Sequence, residues 1–393
     1  MQMFKNITRN VWILSIVSLS TDVASEMLYP VMPVYLRSIG FSIVLIGVLE
    51  GFAEAIAGLS KGYFGKVSDA RQIRLPFVRA GYALSAVSKP LMAFFVYPLW
   101  IFFVRTIDRV GKGIRTGARD ALLSDETTPK YKGQVFGFHR SMDTLGAVLG
   151  PLLALVYLHF HPARYRPLFL LAFFPGILAV LFTFFIKEKK KEYAISVIKP
   201  GFLDFLLYWR QSPAMYRKLV SGLLVFTLFN SSDVFLLLKI KQAGFSDTTV
   251  ISTYIFYNLT YAIFSYPIGI LADKIGMKRI FITGLILFAA VYAGMAVAQS
   301  NPFFIVLFFL YGIYAAATEG IAKAWITNIN DKKNTATAIG TYTAFQSIAT
   351  MLASSLTGVI WFSFGASIAF ALSSAATIGV AVYLSICIKN TIE

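Results

Sequence analysis

Along nearly its whole length the chain repeats one pattern: an apolar run of about twenty residues, then a short break of glycine, proline or charge. A helix needs about 20 apolar residues to cross the hydrocarbon core of a bilayer. Six such runs fall near residues 11–37, 43–66, 75–96, 98–118, 134–159 and 166–187. Six more fall near 215–239, 248–272, 279–299, 302–323, 335–362 and 365–388. Hydrophobic residues make up 57% of the chain and charged residues 14%, against about 25% charged in a soluble domain. The expectation is an all-α membrane protein of twelve transmembrane helices.

The basic start of the chain precedes a long run that holds Asp22 and Glu26 and has no small-residue cleavage site. It reads as a retained first span and not a signal peptide. The net charge of +17 gathers on alternate loops. Lys and Arg crowd 61–79, 112–132, 187–218, 274–279 and 332–333, whereas the opposite loops hold Arg37, Arg164, Arg166, Lys239 and Lys241. Basic residues mark the cytoplasmic side, so both termini are placed there. This asymmetry accounts for the charge without a nucleic-acid partner. One cysteine, Cys387, and three scattered histidines, His139, His159 and His161, leave no disulfide framework, no metal site and no cofactor ligand set. No phosphate-binding glycine loop is present, so energy would have to come from gradients.

The longest polar interruption begins at Lys187. It divides the chain into an N-terminal six-helix bundle (1–187), a basic cytoplasmic linker (188–213) and a C-terminal six-helix bundle (214–393). The stretch 202–210 within the linker is apolar enough to lie on the membrane surface. The two bundles echo each other. Gly40-Phe41-Ser42 returns as Gly244-Phe245-Ser246, and Gly65 and Asp69 return as Gly269 and Asp273, each after 204 residues. Two halves of like topology, related by an axis along the membrane normal, are an established transporter plan.

The densest chemistry lies between Trp100 and Pro151. Arg105, Asp108, Arg109, Lys112 and Arg115 follow an apolar run within eleven positions, and Arg140 and Asp143 sit in the next one. A charge at the bilayer centre costs roughly 2.5–3.5 kcal/mol on insertion scales, so such residues mark a polar path. Lys112 and the charges beyond it suit the cytoplasmic surface. Arg105, Asp108 and Arg109 lie deeper.

These features resemble the major facilitator superfamily, and the resemblance covers the whole chain. Gly269-Ile-Leu-Ala-Asp273-Lys274-Ile-Gly276-Met-Lys278-Arg279 is similar to the loop signature that family carries between spans 8 and 9. Gly65-Lys-Val-Ser-Asp69 with Arg74 resembles a degraded N-terminal copy, in which Gln72 replaces the second glycine. The resemblance implies a cytoplasmic latch at both loops. Arg109-Val-Gly-Lys-Gly113 is similar to the span 4 pattern whose arginine the family links to proton coupling. Gly146-Ala-Val-Leu-Gly150-Pro151 resembles the span 5 signature of its antiporters. Glycines four apart admit a close neighbouring helix, and the proline supplies a bend that could act as a hinge.

Asp22 and Glu26 stand one helical turn apart, with Tyr29 continuing the face. Two carboxylates so close cannot both ionise cheaply, and one is expected to hold a proton near neutrality. Asp108, Arg109 and Asp143 complete the expected proton-coupling set. Glu26 resembles the span 1 acid of the superfamily's drug/proton antiporters. Glu50 and Glu54 repeat the spacing nearer the outer end of span 2, where a hydrated vestibule explains them equally well. Arg140 and Asp143 share a face and could pair locally. Lys89 is explained by snorkelling to the interface. The candidate substrate contacts are Glu26, Tyr29, Arg105, Arg109 and Arg140 on one side. On the other stand Asn230, Asp233, Tyr257, Asn258, Tyr311, Glu319 (with Lys323 one turn on), Tyr342 and Gln346. Gly65, Asp69, Arg74, Gly146, Gly150, Pro151, Gly269, Asp273, Gly276, Lys278 and Arg279 are the candidate gating residues.

The expected activity is alternating-access transport of a small organic solute, a proton-coupled export of a drug-like or amphiphilic metabolite by a monomer in a bacterial cytoplasmic membrane. An organic-anion carrier (for a siderophore-like or phosphorylated metabolite) and a non-transporting membrane sensor are the alternatives. An enzyme would need a nucleophile with its base, or a metal site, and neither is visible.

Overall fold

A computed structural model describes residue 4 and residues 6–29, 31–162, 164–188 and 200–388, and among them the regular elements are all helical. The first group is α1 (Arg9–Glu26), α2 (Met32–Ser38), α3 (Ile43–Arg71), α4 (Leu75–Phe94), α5 (Pro98–Asp125), α6 (Lys132–Phe160) and α7 (Tyr165–Thr183). A short helix α8 (Asp204–Gln211) precedes α9 (Ala214–Phe229), α10 (Val234–Gln242), α11 (Asp247–Ile275), α12 (Met277–Val297), α13 (Asn301–Asn328), α14 (Thr335–Phe364) and α15 (Ala366–Cys387).

The repeated Gly-Phe-Ser is a helix start. Gly40 and Gly244 take φ of 93° and 89°, a left-handed turn that glycine enters without steric cost. Ser42 and Ser246 then accept the Leu45 and Thr249 amides, capping α3 and α11. Eight helical stretches among the described residues are long and apolar enough to span a membrane: Pro129–Phe160, Tyr165–Thr183, Ala214–Gln242, Thr248–Ile275, Met277–Val297, Asn301–Asn328, Lys332–Phe364 and Ala366–Cys387. The helices α1, α3, α4 and α5 are not in that set, and they are the ones that carry most of the buried charge.

Two expected spans are interrupted. The first is divided into α1 and α2, and the seventh into α9 and α10. The seventh breaks at Asn230-Ser-Ser-Asp233, side chains that compete with the helix for backbone hydrogen bonds. In the first, Pro33 falls at the second position of α2, where its fixed φ suits a new helix and its missing N–H is harmless.

The chain groups into two compact units that cut across the sequence halves. The first contains 1–126, 142–211 and 330–347; the second contains 127–141, 212–329 and 348–393. Both α6 and α14 therefore begin in one unit and end in the other. In the first unit α4 packs on α5 and α7, α3 on α5, and α1 on α7. In the second, α13 packs on α11 and α12, and α15 on α12 and α9. Helix α8 turns Phe205 and Tyr208 inward and leaves Leu206 and Leu207 exposed, as are Phe202 and Leu203 just before it. The linker residues 189–199 lie outside the described residues.

Candidate transport site and loop carboxylates

In the first unit the acids of α1 meet Asp143 of α6, whereas Asp108 and Arg109 of α5 take other partners. The α1 residues Asp22 and Glu26 are half-buried. Asp143 is buried on α6, its carboxylate accepts the Ser18 hydroxyl, and it is in hydrogen-bonding contact with Asp22. The glycine pair explains how α6 comes so near. A Cβ placed on Gly146 would lie 2.6 Å from the Leu19 carbonyl oxygen and 2.9 Å from Asp22 Cβ. One on Gly150 would lie 2.8 Å from the Met27 amide nitrogen and 2.9 Å from Glu26 Cβ. Small residues thus hold the acids of α1 against α6, and Pro151 follows inside the helix. Tyr29 leaves this face. The helix has ended at Glu26, and the Tyr29 side chain is 55% exposed.

Several of the charges of α5 meet partners. Asp108 accepts Lys89 Nζ at 2.8 Å and the Ser88 hydroxyl at 3.3 Å. Lys89 is 5% exposed, so it is the buried partner of Asp108 and does not snorkel. Arg105 lies close enough for its charge to act on both. Arg115 is stacked over Tyr82 at 4.6 Å and donates to Ser85 at 2.6 Å. Arg119 pairs with Asp120 at 2.9 Å. Arg109 reaches Glu54 of α3 at 3.7 Å, and Lys61 reaches the same carboxylate at 3.6 Å. Glu54 is therefore part of the charged cluster and not a mere vestibule acid; the side chain of Glu50 lies outside the described residues. Ser347 stands with Lys61 at Glu54, its hydroxyl 3.4 Å from the carboxylate, and sequence spacing missed Ser18, Lys61 and Ser347 as site residues because their role depends on which helix stands opposite.

Arg140 and Asp143, three positions apart on α6, serve different units. Arg140 donates to the Tyr261 hydroxyl, lies over that ring at 5.1 Å, and pairs with Glu319 at 3.5 Å, all in the second unit. Nearby, Tyr311 donates to Asp233 at 2.7 Å, and Asn230 donates to Tyr314 at 3.0 Å. The rings of Tyr257, Tyr311 and Tyr314 lie in sequence at 4.9 and 5.2 Å between centroids. Asp233 thus sits at the break between α9 and α10, inside a tyrosine cluster. Asn258 is buried and spends its amide on the Tyr254 carbonyl one turn back, at 3.0 Å. Tyr342 and Gln346 belong to the first unit, buried and half-buried respectively.

Both loop signatures form the same device. The Asp69 carboxylate pairs with Arg74 and accepts the Thr337 amide and hydroxyl, each at 2.6 Å, at the start of α14. Asp273 accepts the Gly133 and Gln134 amides, each at 2.7 Å, at the start of α6. Each carboxylate meets the unpaired N–H groups and positive dipole end of a helix, where anions are stabilised by about 0.3–1 kcal/mol or more. Gly65 and Gly269 let the backbones close up, against Ala336 and Gly133 respectively. The missing N-terminal glycine does not prevent this. Gln72 itself adopts φ 53°, the counterpart of Gly276 at φ 101°, and its amide bonds the Asp69 carbonyl at 2.5 Å. Glu188 receives the Arg74 and Leu75 amides, tying the start of the linker to this turn. Farther along, Tyr208 donates to Asn330 at 2.7 Å, with burial and the Asp69 and Asp331 carboxylates holding its phenol pKa above the ordinary value. Lys278 takes another part: it donates to the Ser385 and Ile388 carbonyls at the end of α15. Arg279 stands next to it in the first turn of α12, and its carbonyl accepts the Thr283 hydroxyl.

Long apolar helices, buried charges that pair between helices, and loop carboxylates bound at helix ends are features of a polytopic membrane transporter. The model of the Major Facilitator Superfamily matches residues 14–257 and 219–391. An uncharacterised MFS-type transporter of Methanocaldococcus jannaschii is 32% identical over 363 residues, which is 91% of this chain and 89% of that protein. The human organic anion transporter MFSD10 (TETRAN) superposes with a TM-score of 0.80 at 18% identity, covering 96% of this chain and 99% of that one. The E. coli fucose:proton symporter FucP gives 0.79 at 12% identity, covering 97% and 99%. The chain belongs to the Major Facilitator Superfamily. It is an integral, multi-pass membrane transporter and not an enzyme.

Proposed function

We propose that this protein is a proton-coupled secondary transporter that exports an amphiphilic organic solute by alternating access. It would use twelve spans, place both termini in the cytoplasm, and work as a monomer in a bacterial cytoplasmic membrane. The observation that carries the coupling is the contact of Asp22 with Asp143, with Glu26 one turn on and Ser18 bound to the same carboxylate. Two carboxyl groups in contact are held together most cheaply by a shared proton. A proton on this pair closes α1 on α6; its loss sets two like charges against each other across the Gly146–Gly150 seam. Glu26 lies within reach of the charges of Lys112 and Arg109, so solute binding there changes the field on the pair. Gly150-Pro151, placed beside Glu26, supports exchange over uptake. The Asp69 and Asp273 latches are the gates that must release during each cycle.

A second reading concerns the solute's charge. Arg109 and Lys61 together address a single carboxylate, Glu54, and this favours an organic anion.

The test is flux in proteoliposomes loaded with a pH dye, challenged with anionic and cationic amphiphiles. The expected result is solute-dependent proton movement that Asp143→Asn abolishes while solute binding persists. Solute flux that carries no protons in the unaltered protein would refute coupling. No flux for any solute would favour the sensor.

A further inference from the structure

We infer that Arg109, Lys61 and Ser347 form a subsite for the carboxylate of an organic acid, and that Glu54 is a built-in competitor occupying it. This rests on the organic-anion reading above and adds the place, the donors and the displaced group.

The geometry of Glu54 is that of a bound ligand more than of a structural ion pair. Its two oxygens are divided between two cations: Oε2 faces Arg109 at 3.7 Å and Oε1 faces Lys61 at 3.6 Å. Ser347 adds a hydroxyl 3.4 Å from Oε1. None of these contacts is tight, in contrast with the 2.8 Å of the enclosed Lys89–Asp108 pair. Exposure separates them too. The Glu54 side chain is 41% exposed, whereas those of Lys61 and Arg109 are 11% and 16%. The carboxylate lies toward solvent and its donors lie behind it, so an incoming carboxylate can replace it without dragging either cation into water. Both contacts are long and the Glu54 end is open to water, which screens the charges on that side, so Glu54 is a displaceable competitor. A carboxylate carried on an apolar body adds the burial of that body and can win.

Displacement has a consequence for the seam. Lys61 Nζ also donates to Ser347 at 2.9 Å. At this level α3 and α14 run nearly backbone to backbone: a Cβ on Gly58 would lie 2.9 Å from Ser347 Cβ, and one on Gly340 would lie 2.5 Å from the Lys61 carbonyl oxygen. Lys61 therefore belongs both to the subsite and to the contact that joins the helices above the Asp69 latch. An acid that draws Lys61 toward itself loosens Ser347, and that links binding to release of the seam.

The experiment is equilibrium thermal unfolding of the purified full-length protein across a benzoate series, with benzyltrimethylammonium as the oppositely charged probe of similar shape. Glu54→Gln removes the competitor and should reach half-maximal stabilisation at least tenfold lower in benzoate than the unaltered protein. Glu54→Asp draws the charge back by one methylene and should fall between them; it decides the matter if Glu54→Gln does not fold. Lys61→Met should lose the benzoate response, alone and combined with Glu54→Gln. An unchanged benzoate response in both Glu54 variants would overturn the subsite. So would stabilisation by benzyltrimethylammonium that disappears in Glu54→Gln, since Glu54 would then be a cation site. No gradient is involved, so benzoate binding without proton flux would sink the coupling and spare the subsite, and the reverse result would do the opposite.

Discussion

At the scale of single residues, the informative case is Gln72. A side chain in the left-handed region costs about 1–2 kcal/mol relative to an ordinary helical conformation, and the sequence signals this only as a missing glycine. The structure shows the compensation: the Gln72 amide donates to the Asp69 carbonyl inside the turn. Gln72→Gly should therefore be close to neutral, trading a hydrogen bond of about 1 kcal/mol against relief of strain. Gln72→Ala loses the bond and keeps the strain, and should lower stability by about 1 kcal/mol relative to Gln72→Gly. Thermal unfolding of both variants in one detergent checks the order. Lys89 teaches the complementary lesson. Its position in α4 was readable, but whether it reached the interface or a partner depended on Asp108 of α5 standing 2.8 Å away, which linear spacing does not encode.

At the scale of elements, close approach between helices determines the site. The α1–α6 seam relies on bare backbone at Gly146 and Gly150, where other residues carry side chains. Gly146→Leu should force α1 outward, cost about 1–3 kcal/mol, and abolish solute-dependent proton movement in proteoliposomes. On the same helix the exposed Leu149 serves as the control, and Leu149→Ala should leave proton movement intact. Helix α8 is tied down by a similar notch. The Phe205 ring lies where a Cβ on Gly62 would be 2.5 Å from it, and Phe205 is 1% exposed. Phe205→Ala should cost about 3 kcal/mol, seen as a lower unfolding temperature. The exposed neighbour Leu207→Ala should cost far less.

At the scale of the molecule, the two loop carboxylates are matched devices, each closed within its own compact unit. Asp69→Asn leaves the fully buried Arg74 without its charge partner and should destabilise by about 3 kcal/mol. Asp273→Asn weakens two charge-assisted bonds to backbone amides and should cost about 1.5–3 kcal/mol. One carboxylate binds Arg74 and Thr337 and the other binds Gly133 and Gln134. With different partners, the double variant should show the sum of the single effects to within about 0.5 kcal/mol. A clear departure from that sum in thermal unfolding would mean that the latches are energetically coupled.

The class of the protein was legible because membrane insertion is a local demand. Each span must be apolar over its own stretch of chain, and the basic charge falls on alternate loops, so both properties are written along the sequence. The repeat was legible for the same reason: Gly40-Phe41-Ser42 and Gly244-Phe245-Ser246 are complete turns and caps within a few positions. Even the latch loops could be recognised, since their glycines and acids are contiguous. Partner choice was not. Arg140 and Asp143 share a face of α6 yet face Tyr261 and Glu319 in one unit and Ser18 and Asp22 in the other. Glu54, Lys61 and Ser347 meet only because α3 and α14 pack through glycine, although Glu54 and Ser347 stand 293 positions apart in the chain. The helical period states which way a charge points; only tertiary packing brings the opposite charge to meet it.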